Sequence, residues 1–347
     1  MREREADRLD ACPSPISRIV SPEADFVGLG INSLDTIIRL PHYPEFNSKI
    51  SILSATKLPG GQTATAAVAC QRWGLRSRYI GKIGDDDAGR TQRLEFDRCG
   101  IEAHLIEVPG CPSQLAFILV DESSGERTIL WQRDARLDLT PSQIPRAWIA
   151  TTRLLHVDGH PCAPATAAAQ WAHEAGAIVT ADIDNLYDDV ELLLEHVDYV
   201  IGAREFPYRL TGIEDFFEAL PEIRRRFNCR VVGCTLGCDG VLIWDGSAFR
   251  YAPAFRVSAI DTTGAGDVFH AGFCYSLLRG WTLDYCLDFG CAAAALNCMH
   301  SGARGGIRPV EEIARLVSEA PRYAPAFTMS ELTQRTAEAK LKITKTL

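Results

Sequence analysis

The sequence predicts an α/β protein: a doubly wound, mostly parallel sheet flanked by helices, with a small β-sheet lid. Three observations predict it. From residue 153 onward short buried strands alternate with amphipathic helices, as in a parallel sheet covered on both faces. Residues 46–57 and 103–131 are instead β-rich, as a separate small sheet requires. Residues 259–269 (AIDTTGAGDVF) run extended, turn on two glycines and continue as an apolar-periodic helix through Phe273, Leu277 and Leu278.

Composition narrows the function. The chain has 347 residues, 46% hydrophobic and 23% charged, with a net charge of −9. That is globular composition, and an acidic chain without a basic stripe is not built for nucleic acid. No apolar run approaches the ~20 residues of a membrane span. The start, MREREADRLDACPSP, lacks the apolar stretch of a secretory signal. A cytoplasmic setting is expected. Twelve cysteines without a CxxC pair read as reduced, mostly buried thiols rather than a zinc site.

In chain order, residues 1–23 carry Pro13, Pro15 and Pro22 and read as a disordered or loosely attached arm. Residues 24–31 (ADFVGLGI) form a buried strand. Gly28 and Gly30 suggest a dinucleotide fingerprint, but the third glycine is absent and an extended run, 36–40, follows where a helix is required. Residues 49–53 read as a short strand. Gly60-Gly61-Gln62 opens an Ala-rich helix over 63–73. Residues 78–83 are a strand, and the acids of Gly84-Asp85-Asp86-Asp87 read as a solvated helix start rather than a metal site. Strands at 104–106, 114–120 and 128–131, with a Ser-Gly turn at 124–125, complete the lid. Its outer face is expected to carry Ile118 and Ile129. Arg133 follows, facing either a polar or anionic substrate group or a surface Asp.

Beyond residue 153 come a strand (154–157), a helix (163–175), a strand (177–181), a helix ending at 192–196 and a strand (199–201). Ligands of such sheets sit at the carboxyl ends of the strands. The acidic stretches 156–160 and 182–185 fall there, making Asp158 and Asp182 substrate-side candidates. Residues 230–235 and 241–244 are strands joined by Gly237-Cys238-Asp239-Gly240. Residues 283–299 form an Ala-rich helix whose Asp288-Phe289-Gly290 has no kinase catalytic loop before it. Gly302-Ala303-Arg304-Gly305-Gly306 closes the site region, holding adenine or a monovalent cation, or serving as a plain loop. The main domain spans 24–320, and residues 321–347 read as a peripheral, polar, helical tail.

The chemistry centres on residues 261–267. A helix that starts just after Gly264 points unpaired N–H groups and the positive end of its dipole outward, which suits a phosphate. Asp267 stands beside it as a base. An anion pocket next to a general base fits phosphoryl transfer to a hydroxyl. The plainer alternative is a tight turn with Asp267 as a dipole partner. No GxxxxGK[ST] is present, which excludes a P-loop kinase.

The string DTTGAGD with Val268, Phe269, Ala271, Gly272 and Phe273 resembles the C-terminal signature of the ribokinase-like (PfkB) family of carbohydrate kinases. The resemblance covers about residues 24–318. It implies ATP, Mg²⁺ and a sugar as ligands, with a monovalent cation as a further possibility. It makes Asp267 the base and Gly264, Ala265 and Gly266 the anion hole. Asp35 matches an Asp that grips sugar hydroxyls, although a turn Asp before a strand is the rival reading. Gly60 and Gly61 match a pair that lets the backbone approach the sugar, and Thr65 stands where the family has Asn. Arg133 and Asp158 complete the substrate side. Thr235, Gly237 and Gly240 match a nucleotide-side strand and turn, with Thr263 and Asn297 near the same ligand. The family organises magnesium through water with Asn-x-x-Glu. Here Ala203 replaces the Asn, and Glu205, displaced by one, is the metal candidate.

The expected activity is ATP-dependent phosphorylation of a sugar or sugar-acid hydroxyl. The rivals are a nucleoside kinase on the same fold and a catalytically idle sugar-binding protein. A nicotinamide-dependent dehydrogenase rests on the broken Gly28 motif alone. A homodimer through the lid is a further expectation, because an apolar β-face needs cover. Asp35, Gly60, Gly61 and Asp267 are expected to converge on one cleft.

Overall fold

Two β-sheets organise the chain, and the partners of each strand follow from the connection that precedes it. The computed structural model describes residues 21–123 and 127–346. Residues 1–20 of the expected arm and the Ser-Gly turn at 124–125 lie outside the described residues.

The elements run in this order. β1 (Ala24–Leu29) precedes β2 (Ser33–Leu40) and β3 (Ser54–Gly60), then α1 (Gln62–Arg72), β4 (Ser77–Gly84), α2 (Asp87–Cys99) and β5 (Glu102–Val108). The hairpin β6 (Leu115–Asp121) and β7 (Arg127–Gln132) follows. α3 (Arg146–Ala150), β8 (Thr152–Val157), α4 (Cys162–Ala175), β9 (Ile178–Ile183), α5 (Val190–Leu194) and β10 (Tyr199–Gly202) resume the alternation. α6 (Phe206–Thr211) and α7 (Phe216–Phe227) lead to β11 (Val231–Thr235), β12 (Val241–Trp244) and β13 (Phe249–Ala252). α8 (Ala265–Leu278), α9 (Leu283–Cys298), α10 (Val310–Glu319) and α11 (Met329–Thr346) complete the chain.

The large sheet has nine strands in the order β13-β12-β11-β10-β9-β8-β1-β4-β5. From β11 to β5 all pairings are parallel, while β12 and β13 add an antiparallel hairpin at one edge. Successive side chains point to opposite faces. Leu154 and Val231 therefore pack under α1, α8 and α9, while Leu155 and Val232 pack against α4, α5 and α7. Both faces are covered, so these strands read as continuous apolar runs.

The small sheet is β3-β2-β6-β7, in which β2 and β6 run parallel and the outer pairs are antiparallel. It differs from expectation in three ways. The strand at 102–108 belongs to the large sheet, where it pairs with β4 across α2. A strand leaving a helical crossover returns beside its predecessor, and this rule outweighs the β-rich pattern that grouped it with the lid. Residues 46–53 form no strand. The ladder with β2 starts at Ser54 opposite Arg39, and Ile52 and Leu53 are left exposed. Ile118 faces inward, buried with Ile37, Ala116 and Val120. Ile129 lies opposite Ile118 on that same face, while Phe117 and Leu130 pair on the outer one.

The run of acids after β4 is a helix start. Asp86 caps α2, accepting from Gly89 N at 2.8 Å, and its other oxygen accepts from Ser113 N at 3.0 Å. Residues beyond 320 are not merely peripheral, since Leu332 and Ala339 of α11 are buried against the main domain. Among the described residues no helix is long and apolar enough to cross a membrane.

Candidate active site

Between the small sheet and the carboxyl edge of the large one lies a cleft of about 730 Å³. Its floor is the turn into α8. Asp261 fixes that turn by accepting from Thr263 N at 2.9 Å and from Gly302 N at 2.8 Å. Asn297 ties the same two segments together. Its Nδ2 donates to Thr263 O and Ala303 O, both at 3.1 Å, and its Oδ1 accepts from Gly306 N at 3.0 Å. Gly264 has φ 72°, and a Cβ there would lie 2.5 Å from the Ala303 backbone, so glycine is required twice over. Val268 N closes the first helical turn on Gly264 O, and Ala265 N donates to Thr262 O at 3.2 Å. Helix geometry leaves the amides of Gly266 and Asp267 without an intrahelical acceptor. Thr263 Oγ1 is buried beside them with no partner among the described residues.

Asp267 lines the cleft from the first turn of α8. Burial, followed by the Asp182 and Asp35 carboxylates, pushes it up to about 8, against the opposing pull of Arg304. Like charges and low dielectric both disfavour ionisation.

Asp35 reaches the same cleft from β2. It accepts from Ser33 Oγ at 2.7 Å, and Gly60 at the end of β3 presses against its carboxylate so closely that a Cβ there would collide with it. Burial raises the Asp35 carboxyl above the ordinary range, while the Ser33 hydrogen bond and Arg304 oppose the rise. Gly61 follows with φ 94°, capping α1 where a Cβ would lie 2.5 Å from Ile31 O.

Arg304 lies in the segment 302–306, which the sequence offers as a holder of adenine or a monovalent cation or as a plain loop, with no separate role for the Arg. It is only 7% exposed. Its Nε donates to Thr65 Oγ1 at 3.2 Å and its Nη2 to Gly60 O at 2.7 Å, with Glu95 3.9 Å from Nη1. It is the cation beneath the acidic floor.

The cleft gathers Asp35, Gly61, Arg133, Thr235, Gly237, Gly240, Thr263, Gly264, Ala265, Gly266 and Asp267. Five expected residues lie elsewhere. Gly60 is not among the cleft-lining residues, and its carbonyl accepts from Arg304 Nη2. Thr65 is buried and holds Arg304. Asp158 is buried under the loop after β1, accepting from Ile31 N at 2.5 Å and His160 N at 3.0 Å, and burial pushes it up to about 7. Asn297 uses its hydrogen bonds on the turn, as described, rather than facing the cleft. Glu205 is exposed at the start of α6 and is not among the cleft residues, whereas Ala203 is. Arg133 lines the cleft but is largely committed, to Asp138 at 3.1 Å, Gln114 Oε1 at 2.8 Å and Leu137 O at 2.9 Å.

Other residues complete the walls. Trp131, His160 and Tyr187 form an aromatic side, with ring centroids 6.5 Å and 5.0 Å apart in turn. Ala254, Val257, Ala294 and Ala295 make an apolar lobe next to the Gly237–Gly240 turn. Arg127 of β7 reaches from the small sheet to Thr262 Oγ1. Among the described residues no group of three or more His, Cys, Asp or Glu is arranged to hold a metal.

Residues 33–309 match the family described as pfkB family carbohydrate kinase. The chain is 30% identical over 303 residues to a ribokinase of Haemophilus influenzae, covering 84% of this chain and 98% of that one. It is 31% identical over 272 residues to fructoselysine 6-kinase of Shigella flexneri, covering 75% and 94%. The fold is that of the crystal structure of adenosine kinase from Sinorhizobium meliloti, with a TM-score of 0.75 at 24% identity over 84% of this chain and 98% of that one.

Proposed function

The chain belongs to the pfkB family of carbohydrate kinases, and we propose that it transfers the γ-phosphoryl group of ATP to a sugar hydroxyl with Asp267 as the base. The observation that carries this reading is the placement of Asp267 beside the open amides of the α8 N-terminus, in one cleft with Asp35. Asp267 takes the hydroxyl proton as the new O–P bond forms and the bond to ADP breaks. The amides at 264–266 and the helix dipole receive the charge that develops on the phosphoryl oxygens. Their share falls mainly on Gly266 until Ala265 N is released from Thr262 O. Asp35 accepts sugar hydroxyls, which suits a polyol. Gly61 brings the backbone close to the sugar, and Arg133 has one N–H left for it. The apolar lobe takes adenine, with Thr235, Gly237 and Gly240 beside the phosphates.

The donor set fits a magnesium ion that arrives with the nucleotide rather than one held in a protein cage. When bound, it neutralises charge on the β- and γ-phosphates. The outer face of the small sheet, with Phe117 and Leu130, is the surface for a second copy of the chain.

A nucleoside acceptor is the second reading. The aromatic wall of Trp131, His160 and Tyr187 favours it, since a base can stack there. ATP consumption across a panel of sugars and nucleosides tests both. Turnover with a sugar supports the first, turnover with nucleosides alone supports the second, and turnover with neither removes the kinase reading for this chain.

A further inference from the structure

The helix that carries Asp267 brings a second polar side chain to the same cleft. His270 lies three residues further along α8, on the same helical face, and is buried. Its Nε2 stands 3.2 Å from Asp182 Oδ1. Asp182 sits at the carboxyl end of β9, where a doubly wound sheet collects ligand contacts, and lines the cleft with its side chain 10% exposed. Its other oxygen accepts from Gln62 Nε2 at 3.4 Å, out of the first turn of α1. A carboxylate has about four lone-pair sites, so acceptor capacity remains on the cleft side.

A buried carboxylate with no cation beside it takes up a proton. Among the described residues His270 is the one partner within ion-pair reach of Asp182. Burial pushes the Asp182 carboxyl up, but His270 beside it, together with the Gln62 hydrogen bond, outweighs this and holds it below the ordinary range. Behind His270 lies His156 of β8, its ring centroid 5.6 Å away. Burial first, then His270, brings His156 down to about 3, so it stays uncharged. The other titratable groups facing the pair are Asp267, Asp184, Asp158, Tyr187 and Cys274.

We propose that Asp182 is a second hydroxyl-binding residue of the sugar site, and that His270 is the positioning residue that holds it there as a carboxylate. This rests on the kinase reading and extends it to the acceptor class. The acceptor is a sugar with one hydroxyl donated to Asp35, another to Asp182 and a third reacting at Asp267. A carboxylate or phosphate substituent directed at the Asp182 wall would meet a like charge, so neutral sugars are preferred at that position.

The test is steady-state kinetics of Asp182→Asn and His270→Asn with the best acceptor sugar between pH 6 and pH 9. Asp182→Asn is expected to raise KM for the sugar by about 10–100-fold, the worth of a hydrogen bond to a charged group, with KM for ATP within about twofold. His270→Asn is expected to match that defect at pH 6 and to recover about fivefold or more by pH 9, where Asp182 ionises without its partner. A packing role for His270 would change stability without that pH recovery. An unchanged sugar KM in Asp182→Asn, or a pH-independent defect in His270→Asn, overturns the proposal. If Asp182→Asn does not fold, the pH recovery of His270→Asn decides alone. A wild-type enzyme that phosphorylates no sugar defeats the sugar-kinase reading on which this proposal rests. Wild-type turnover with indifferent variants defeats only this proposal.

Discussion

Replacing Arg304 with Met tests whether the acidic cleft depends on a cation beneath it. The substitution leaves Thr65 Oγ1 and Gly60 O without their donor and removes the partner of Glu95. Two lost hydrogen bonds to a charged donor cost about 1.5–3 kcal/mol each. Relief from burying the guanidinium offsets part of this, leaving a net loss of about 3 kcal/mol, the lower end for breaking a buried charge pair. In a chain of this size, with an unfolding entropy of about 2.1 cal/mol/K per residue, that lowers Tm by roughly 4 °C, read by calorimetry or circular dichroism. Function should change as well. Asp35 loses the Arg304 charge that favours its ionised form, so sugar KM rises about tenfold while KM for ATP moves by less than about twofold. A variant that melts within 1 °C of wild type, the roughly zero-cost outcome for an unlinked side chain, and keeps its sugar KM would refute the reasoning.

Asp35→Ala is expected to raise KM for the sugar well above any effect on KM for ATP, and equal effects on both would reduce Asp35 to a turn residue. The rate with limiting sugar should rise with pH along a limb set by Asp267, near 8 in the free enzyme, because the base works only when deprotonated. The stability sign follows from the same shift. The folded-state pKa of Asp267 lies above its unfolded value of 3.8, so the stability it contributes is full below about pH 4 and lost as pH rises through 8. Thermal melts of Asp267→Asn should therefore exceed wild type by a margin that widens from pH 5 to pH 8.5, and a constant margin would count against the shift. Sedimentation should show a dimer at micromolar concentration that Phe117→Glu with Leu130→Glu dissociates, these being 43% and 52% exposed on the outer face of the small sheet. A strict monomer in the wild type would remove the lid interface.

The parts of the molecule that could be read from the sequence are those whose signal is local. The alternation after residue 153 marks strands buried on both faces, and Gly264 before α8 marks a backbone that no other residue fits. Asp267 could be placed in the cleft from the sequence because it stands in the helical turn that this glycine opens. What escaped depends on distant partners. Arg304 lies in a segment readable as an adenine or cation site or as a plain loop, and its meaning comes from Thr65 and Gly60, more than 200 positions earlier. Asp158 resembled a cleft carboxylate, but Gly30 packs against it and the Ile31 and His160 amides claim its oxygens. The strand at 102–108 has the composition of the lid strands and is separated from them only by the α2 crossover before it. His270 carried a faint signal, standing one helical turn beyond Asp267, but its partner Asp182 lies far off in sequence on β9.

The central claim, that Asp267 removes the hydroxyl proton during transfer, is tested most directly by a rapid-quench single turnover with the best acceptor sugar. Wild type and Asp267→Asn are compared at saturating ATP and sugar, with both dissociation constants measured by calorimetry. The predicted result is a transfer step slower by about 10²–10⁴ in the variant, the usual worth of a positioned base, with both ligands bound within about twofold of wild type. Transfer at the wild-type rate in Asp267→Asn would contradict the account.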